Sequence, residues 1–174
     1  MEYQSDGKLD YKKILRNTKD KNKLKVTLKE TEEKGVGLFA TKEIKKGETI
    51  AYYKIKVFRT KDYESPTNFV YSFEVYRKNE QAYKRLIGDI YEGSFPEPIN
   101  NIPFWAAFCN EPSKNERVNC DIDVNTRENY MYRTATKIGD TMIYKLLATK
   151  MIRPGEEILW YYGPEYPRNY TIRK

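Results

Sequence analysis

Ile152-Arg153-Pro154-Gly155-Glu156-Glu157-Ile158-Leu159-Trp160-Tyr161-Tyr162-Gly163 is the stretch on which the reading of this chain turns. Pro154-Gly155 is a turn pair, because proline presets φ and glycine accepts the positive φ that closes the turn. Ile158 and Leu159 then open a short apolar strand that runs into three aromatics and stops at Gly163. Three aromatics closing a hydrophobic core would produce the same pattern, so the segment takes its meaning from what precedes it.

Working outward, most of the chain reads as short strands. Leu24, Val26 and Leu28 alternate with Lys25, Thr27 and Lys29, the period-two pattern of a half-buried strand. Residues 49–58, 69–76, 118–124, 129–138 and 142–149 are rich in β-branched and aromatic side chains and continue the series. Gly139-Asp140 suits a turn between the last two. Residues 102–109 are predicted as a helix leading to Asn110-Glu111-Pro112-Ser113, and residues 92–103, with Gly93, Pro96, Pro98 and Pro103, as an irregular loop. Residues 1–22 are polar and charged, and read as a mobile basic N-terminal extension or a short solvent-facing helix, with Tyr11, Ile14 and Leu15 as a modest apolar stripe.

With 174 residues, 39% of them hydrophobic and 33% charged, the chain is sized for a single globular domain. No apolar run approaches the ~18 residues a membrane helix needs, and Met1 to Asp6 lack the layout of a signal peptide, so an intracellular location is expected. The chain has no histidine, which removes Ser-His, Cys-His and histidine general-base mechanisms. Cys109 and Cys120 alone cannot make a tetrahedral zinc site, so no metal is expected and both read as reduced, buried thiols. Lys and Arg total 32 against 25 Asp and Glu, a net charge of +7 that favours polyanionic partners.

Two further segments carry chemical signal. Lys34-Gly35-Val36-Gly37-Leu38-Phe39-Ala40, followed by Ile44-Lys45-Lys46-Gly47-Glu48, pairs glycines that permit positive φ and close backbone approach. Alone it is also an ordinary glycine-rich turn between strands. It is not a dinucleotide fingerprint, since the third glycine and the long following helix are missing. The other is Phe108-Cys109-Asn110-Glu111-Pro112-Ser113 with Val118-Asn119, unremarkable by itself as a helix end.

In this order the three segments resemble the SET-domain family of protein-lysine methyltransferases. Gly35-Val36-Gly37 with Lys46-Gly47-Glu48 is similar to the family's first motif. Asn110 to Asn119 is similar to a lengthened central Asn-His-Ser…Pro-Asn motif, with Glu111 in the place of the histidine and Val118 in that of the proline. Gly155 to Gly163 matches the closing Gly-Glu-Glu-Leu…Tyr-Gly motif. The resemblance covers residues 24–166 and divides the chain into the extension 1–22, a SET domain 23–166 and a C-terminal tail 167–174, without the family's cysteine-rich zinc segment.

What the resemblance implies is a mainly β fold with minor α content, β-clip-like, of several small sheets with a C-terminal pseudoknot. S-adenosylmethionine would lie against Lys34, Gly35, Val36 and Gly37, Asn110 with Glu111, and the aromatic end at Tyr162 and Tyr166. Tyr162 stands at the catalytic tyrosine. Tyr71 is similar to a second catalytic tyrosine lining the substrate-lysine channel, and Trp160 falls where the family sets methylation number. The tail, through Tyr166 or Tyr170, either covers the cofactor or lies in solvent. The implied partner is a histone tail or another protein lysine, with nucleosomal DNA meeting the basic surface, and the implied location is the nucleus and its chromatin, the host's if the source is viral or bacterial.

These residue types suit that chemistry. Methyl transfer from a sulfonium to an amine is an in-line displacement governed by positioning. The lysine must first lose a proton, and an aromatic channel lowers its pKa by desolvation. No histidine is required. Two other classes compete: a catalytically weak SET-like module that binds peptide, motivated by Glu111 and the stretched central loop, and a basic nucleic-acid-binding domain resting on charge.

Overall fold

The computed structural model describes residues 8–76, 85–123, 138–163 and 166–174. The architecture is mainly β. Strands β1 (Val26–Glu30) and β2 (Val36–Ala40) form an antiparallel pair with Val26 opposite Ala40 and Glu30 opposite Val36. Their turn is organised by Thr31, whose N–H and hydroxyl both donate to the Gly35 carbonyl at 2.7 Å, while its hydroxyl oxygen accepts the Lys34 N–H at 2.8 Å.

The larger sheet is antiparallel, in the order β4 (Phe73–Tyr76), β5 (Arg85–Asp89), β3 (Thr49–Arg59), β7 (Thr141–Ala148), β6 (Cys120–Asp123). Along β3, Tyr53, Ile55 and Val57 are buried while Lys54, Lys56 and Phe58 are half-buried, the alternation of a strand with one core face. Ile50 and Ala51 are buried in succession because the β3–β7 register shifts there, a bulge that turns both side chains inward. Ile55, Val57, Tyr144 and Leu146 join Leu38, Ile44, Ile152 and Ile158 in one core between the sheets.

The C-terminal segment ties the two sheets. Gly155 donates to the Ala40 carbonyl at 2.8 Å, and Ile158 to that of Leu38 at 2.7 Å, extending the small sheet. Leu159 then bridges Asn110 in parallel on one side. On the other it is gripped by Asn119, whose side-chain oxygen accepts the Leu159 N–H at 2.8 Å and whose backbone N–H donates to the Leu159 carbonyl at 3.0 Å. Residues at both ends of the 110–119 loop therefore flank one strand-like segment, which is the expected pseudoknot. The tail returns to the same loop: Val118 donates to the Arg173 carbonyl at 2.8 Å and the Tyr170 hydroxyl donates to that of Pro112 at 3.0 Å.

The structure departs from the sequence reading at several places. The helix expected over residues 102–109 is a single 3-10 turn, Ala106–Phe108, because Pro103 interrupts one end and the aromatics are drawn into the core by burial rather than by helical pairing. The strand expected from residue 69 begins at Phe73, because Asn68 and Phe69 take left-handed φ of 53° and 62° and Val70 and Ser72 close turns onto Thr67 and Phe69. Strand β5, Arg-Leu-Ile-Gly-Asp, went unforeseen; a Cβ at its Gly88 would lie 2.2 Å from Ile55 Cδ1 and 2.8 Å from Val75 Cγ2, so the glycine leaves room for side chains of the two flanking strands. Of the strand expected over residues 129–138, only Ile138 lies within the described residues. Near the N-terminus a helix forms, α1 (Tyr11–Asn17), capped by Asp10, but it does not simply face solvent: Ile14 is buried in the core, with Tyr11 and Leu15 packed against it.

Candidate active site

The hairpin turn, the pseudoknot loop and the aromatic end of the C-terminal segment converge. Lys34 Nζ lies 2.7 Å from Glu116 Oε1 and 2.9 Å from Glu157 Oε1, and approaches the Glu111 carbonyl at 3.4 Å. Burial disfavours the Lys34 charge, but the hydrogen bonds it donates to Glu116 and Glu157 outweigh that cost and leave its pKa raised. The Asn110 amide donates at 3.1 Å to both the Val36 carbonyl and Glu157 Oε2. Lys34, Asn110 and Glu157 thus bind the first motif to the other two.

The paired glycines have separate reasons. Gly35 takes φ +70°, with open space where a Cβ would stand. At Gly37 a Cβ would lie 2.8 Å from Glu157 Oε2 and 3.1 Å from the Asn110 amide nitrogen, so this glycine admits the polar cluster itself.

Glu111 is 6% exposed. Its Oε1 accepts the backbone N–H of Tyr162 at 2.7 Å, and Arg168 forks onto both carboxylate oxygens, with Nε 3.0 Å from Oε2 and Nη2 on Oε1. A carboxylate in the histidine's place is therefore fully partnered, as a buried charge must be.

The Tyr162 hydroxyl donates to the Cys109 carbonyl at 2.6 Å, and the Trp160 indole N–H donates to the same carbonyl at 3.2 Å. The rings of Trp160 and Tyr166 meet that of Tyr162 edge-on, with centroids at 5.2 and 4.8 Å. Burial, followed by the neighbouring Cys109 and Tyr53, pushes the Tyr162 phenol well above its ordinary pKa, so it works as a neutral hydroxyl.

Tyr71 sits in the turn before β4, half-buried, with its ring 6.2 Å from that of Phe108 and its pKa raised by burial. Its carbonyl accepts the Tyr53 hydroxyl at 2.6 Å, and its ring packs on Phe108 rather than on the Trp160–Tyr162–Tyr166 cluster. Tyr53 was missed by sequence reasoning; its signal was its place on the buried face of β3, in phase with Ile55 and Val57. Arg168 was missed as well, and nothing local marks it, because its partner is distant in sequence.

Cys109 and Cys120 are free, buried and 3.8 Å apart at sulfur, each on a carbonyl of the threaded segment, Ile158 at 3.1 Å and Leu159 at 3.2 Å. Burial pushes the Cys109 thiol well up, which suits packing rather than nucleophilic attack.

A cleft of about 880 Å3 opens beside Lys34, between the hairpin turn (Glu33), the pseudoknot loop (Ser113 to Asn115) and the tail (Asn169 to Thr171, with Arg173). It falls in the ~300–1,000 Å3 range of small-molecule sites.

Residues 35–163 match the SET domain family, and the chain belongs to that family. Among solved structures, the methyltransferase domain of human PR domain-containing protein 2 is 23% identical, with a TM-score of 0.50 over 91% of this chain and 88% of that one. KRYPTONITE in complex with mCHG DNA and SAH is 19% identical, with a TM-score of 0.50 over 82% of this chain and a quarter (25%) of that one. At such identities these likenesses establish the fold alone. No curated protein matches the chain.

Proposed function

We propose that this SET-domain chain is an S-adenosylmethionine-dependent protein-lysine N-methyltransferase, with Tyr162 as its catalytic tyrosine. The observation that carries the reading is the state of the Tyr162 hydroxyl. It is neutral, its proton is committed to the Cys109 carbonyl, and its lone pairs remain to accept a hydrogen bond from an incoming amine.

The cleft beside Lys34 has the size of a cofactor site, and of the residues the family resemblance names for the cofactor it is lined by Lys34 alone. Tyr170 offers a ring face, and Lys114 and Arg173 place cationic side chains at a site for a carboxylate. When bound, S-adenosylmethionine supplies an electrophilic methyl group. The protein's part is to position and desolvate. Tyr71, Trp160 and Tyr162 would wall the lysine side chain, displace water from its ammonium and lower its pKa. Their ring faces would stabilise the methylated cation. Tyr166, half exposed beside Tyr162, would close the site.

A histone tail is the proposed substrate, acting as a flexible extended strand, with the net charge of +7 drawing the enzyme to nucleosomal DNA in a nucleus. The test is incubation with radiolabelled S-adenosylmethionine and nucleosomes or core histones, with Tyr162→Phe in parallel. Label on a histone lysine that falls sharply in the variant supports enzyme and residue together. Label on another lysate protein only would move the substrate away from histones. No label anywhere and no thermal shift with the cofactor would leave a peptide-binding module.

A further inference from the structure

Arg168 makes contacts that reach Tyr162 from several directions. Its guanidinium forks onto Glu111, whose Oε1 holds the Tyr162 N–H at 2.7 Å. The same Nη2 donates to the Gly163 carbonyl at 2.9 Å. The backbone on either side of the Tyr162–Gly163 peptide is therefore held by one ion pair. Gly163 has φ +107°, a conformation reached readily by glycine alone, so this short segment depends on outside contacts for its pose.

The guanidinium also lies over the rings of Tyr161 and Tyr166, with centroids at 5.2 and 5.5 Å, and Tyr166 meets Tyr162 edge-on. Side-chain exposures are 11% for Arg168 and 6% for Glu111, so the pair is shielded from competing water. Arginine is suited to this position because a rigid planar fork can serve a carboxylate, a carbonyl and two ring faces together, which a lysine ammonium cannot.

We propose that Arg168 is a positioning residue for Tyr162, and that the Arg168–Glu111 pair is a latch holding the aromatic end of the C-terminal segment in the pose used for transfer. The catalytic half of this inference rests on the proposed methyl transfer; the latch itself does not. The tail thereby becomes part of the site rather than a covering laid over it. Glu111 takes a share in the site through its charge, since a carboxylate in that place requires the cation that the tail supplies.

The experiment uses the full chain with Arg168→Ala, Arg168→Lys, Glu111→Gln and the double variant Glu111→Gln/Arg168→Ala. Two readouts are taken: steady-state methyl transfer with radiolabelled S-adenosylmethionine, and amide hydrogen exchange. Arg168→Ala should lower kcat by roughly tenfold to hundredfold, the scale of a small misplacement of a reacting group, with less change in KM. Arg168→Lys should rescue little of it. The double variant should be no worse than Arg168→Ala, because both changes undo one interaction. The Tyr162 amide should exchange faster in Arg168→Ala while those of Ile158 and Leu159, held by backbone and Asn119, stay protected.

Unchanged kcat in Arg168→Ala, full rescue by lysine or additive losses in the double variant would overturn the positioning role. Unchanged exchange at Tyr162 would overturn the latch. If the wild-type chain transfers no methyl group, the proposed function falls, and exchange alone decides the latch. Should Arg168→Ala fail to fold, Arg168→Lys and Glu111→Gln give the same comparison with the backbone contacts better preserved.

Discussion

The hydroxyl of Tyr162 donates to the backbone carbonyl of Cys109 at 2.6 Å, across the crossing point of the pseudoknot. The bond joins the last motif to the middle one at the place where the Trp160 indole also lands. Because that carbonyl follows directly on the 3-10 turn, the bond ties the tyrosine oxygen to the same turn. The contacts of the proposed catalytic tyrosine are therefore also contacts that hold the fold.

Tyr162→Phe removes the oxygen and keeps the ring contacts with Trp160 and Tyr166. Methyl transfer should fall by roughly 10²-fold or more, the scale of losing a preorganised polar group in an active site. Stability should drop by only about 1 kcal/mol for the lost hydrogen bond. Single-turnover transfer and thermal melting measure the two separately; parallel losses would make Tyr162 a structural residue.

The pH dependence of transfer follows from the same phenol. Its pKa is pushed well up, chiefly by burial, so Tyr162 stays protonated where an exposed tyrosine ionises. The rate should climb as the substrate lysine loses its proton and show no descending limb through the ordinary phenol range near ~10. A fall there that disappears in Tyr162→Phe would mean that the hydroxyl is more exposed than its contacts imply.

Asn119→Ala strikes the pseudoknot. The side chain donates to the Glu157 carbonyl at 2.9 Å and accepts the Leu159 N–H at 2.8 Å, and the residue is buried. Leaving two buried backbone groups without partners should cost about 2–4 kcal/mol. Urea unfolding tests this. A loss below ~1 kcal/mol would show that the threaded segment is held mainly by its apolar side chains.

Gly37→Ala and Gly35→Ala should part company. The added methyl at Gly37 runs into Glu157 and Asn110, which are held by Lys34 and Val36, so it should cost about 1–3 kcal/mol and weaken cofactor binding. At Gly35 there is room, and the cost is confined to the left-handed backbone, about 1–2 kcal/mol. Thermal shift with and without S-adenosylmethionine separates the two; equal loss of binding would place Gly35 in the polar cluster too.

Glu116 predicts an acid limb. Burial raises its pKa, but Lys34 and the Ser113 N–H outweigh that, so the folded value lies below the unfolded value near 4.5. A depressed carboxylate contributes stability above the unfolded pKa and loses it as pH falls through the folded one. Glu116→Gln should therefore be less stable than wild type at neutral pH, and the gap should close between about pH 5 and 3. Because the carboxylate is 38% exposed, the gap should stay within about 1 kcal/mol. Melting temperatures across that range measure it, and a constant gap would contradict the assignment.

Much of the fold was legible locally. The alternation from Leu24 to Lys29, the β-rich run of residues 49–58 and the Pro154-Gly155 turn each state their conformation in adjacent residues, because strand period and turn chemistry are short-range properties. Residues 102–109 misled for the opposite reason: an apolar run of that length fits a buried 3-10 turn as well as a helix, and Pro103 with the packed aromatics decides between them. The strand expected from residue 69 was too long, since the left-handed turn at Asn68 and Phe69 carries no glycine to announce it.

Taken by itself, the chain's sequence determined the family, the mainly β character and the order of the three motif segments, all carried by residue type and spacing along one strand of text. The tertiary structure alone decided that Glu111 is neutralised by Arg168, that the Tyr53 hydroxyl holds the Tyr71 carbonyl, and that Gly37 makes room for Glu157 and Asn110. Those are pairings between residues far apart in the chain. Which charge meets which, and which carbonyl a hydroxyl finds, is set by how the C-terminal segment threads the 110–119 loop. That crossing buries the groups together and so obliges each to find a partner.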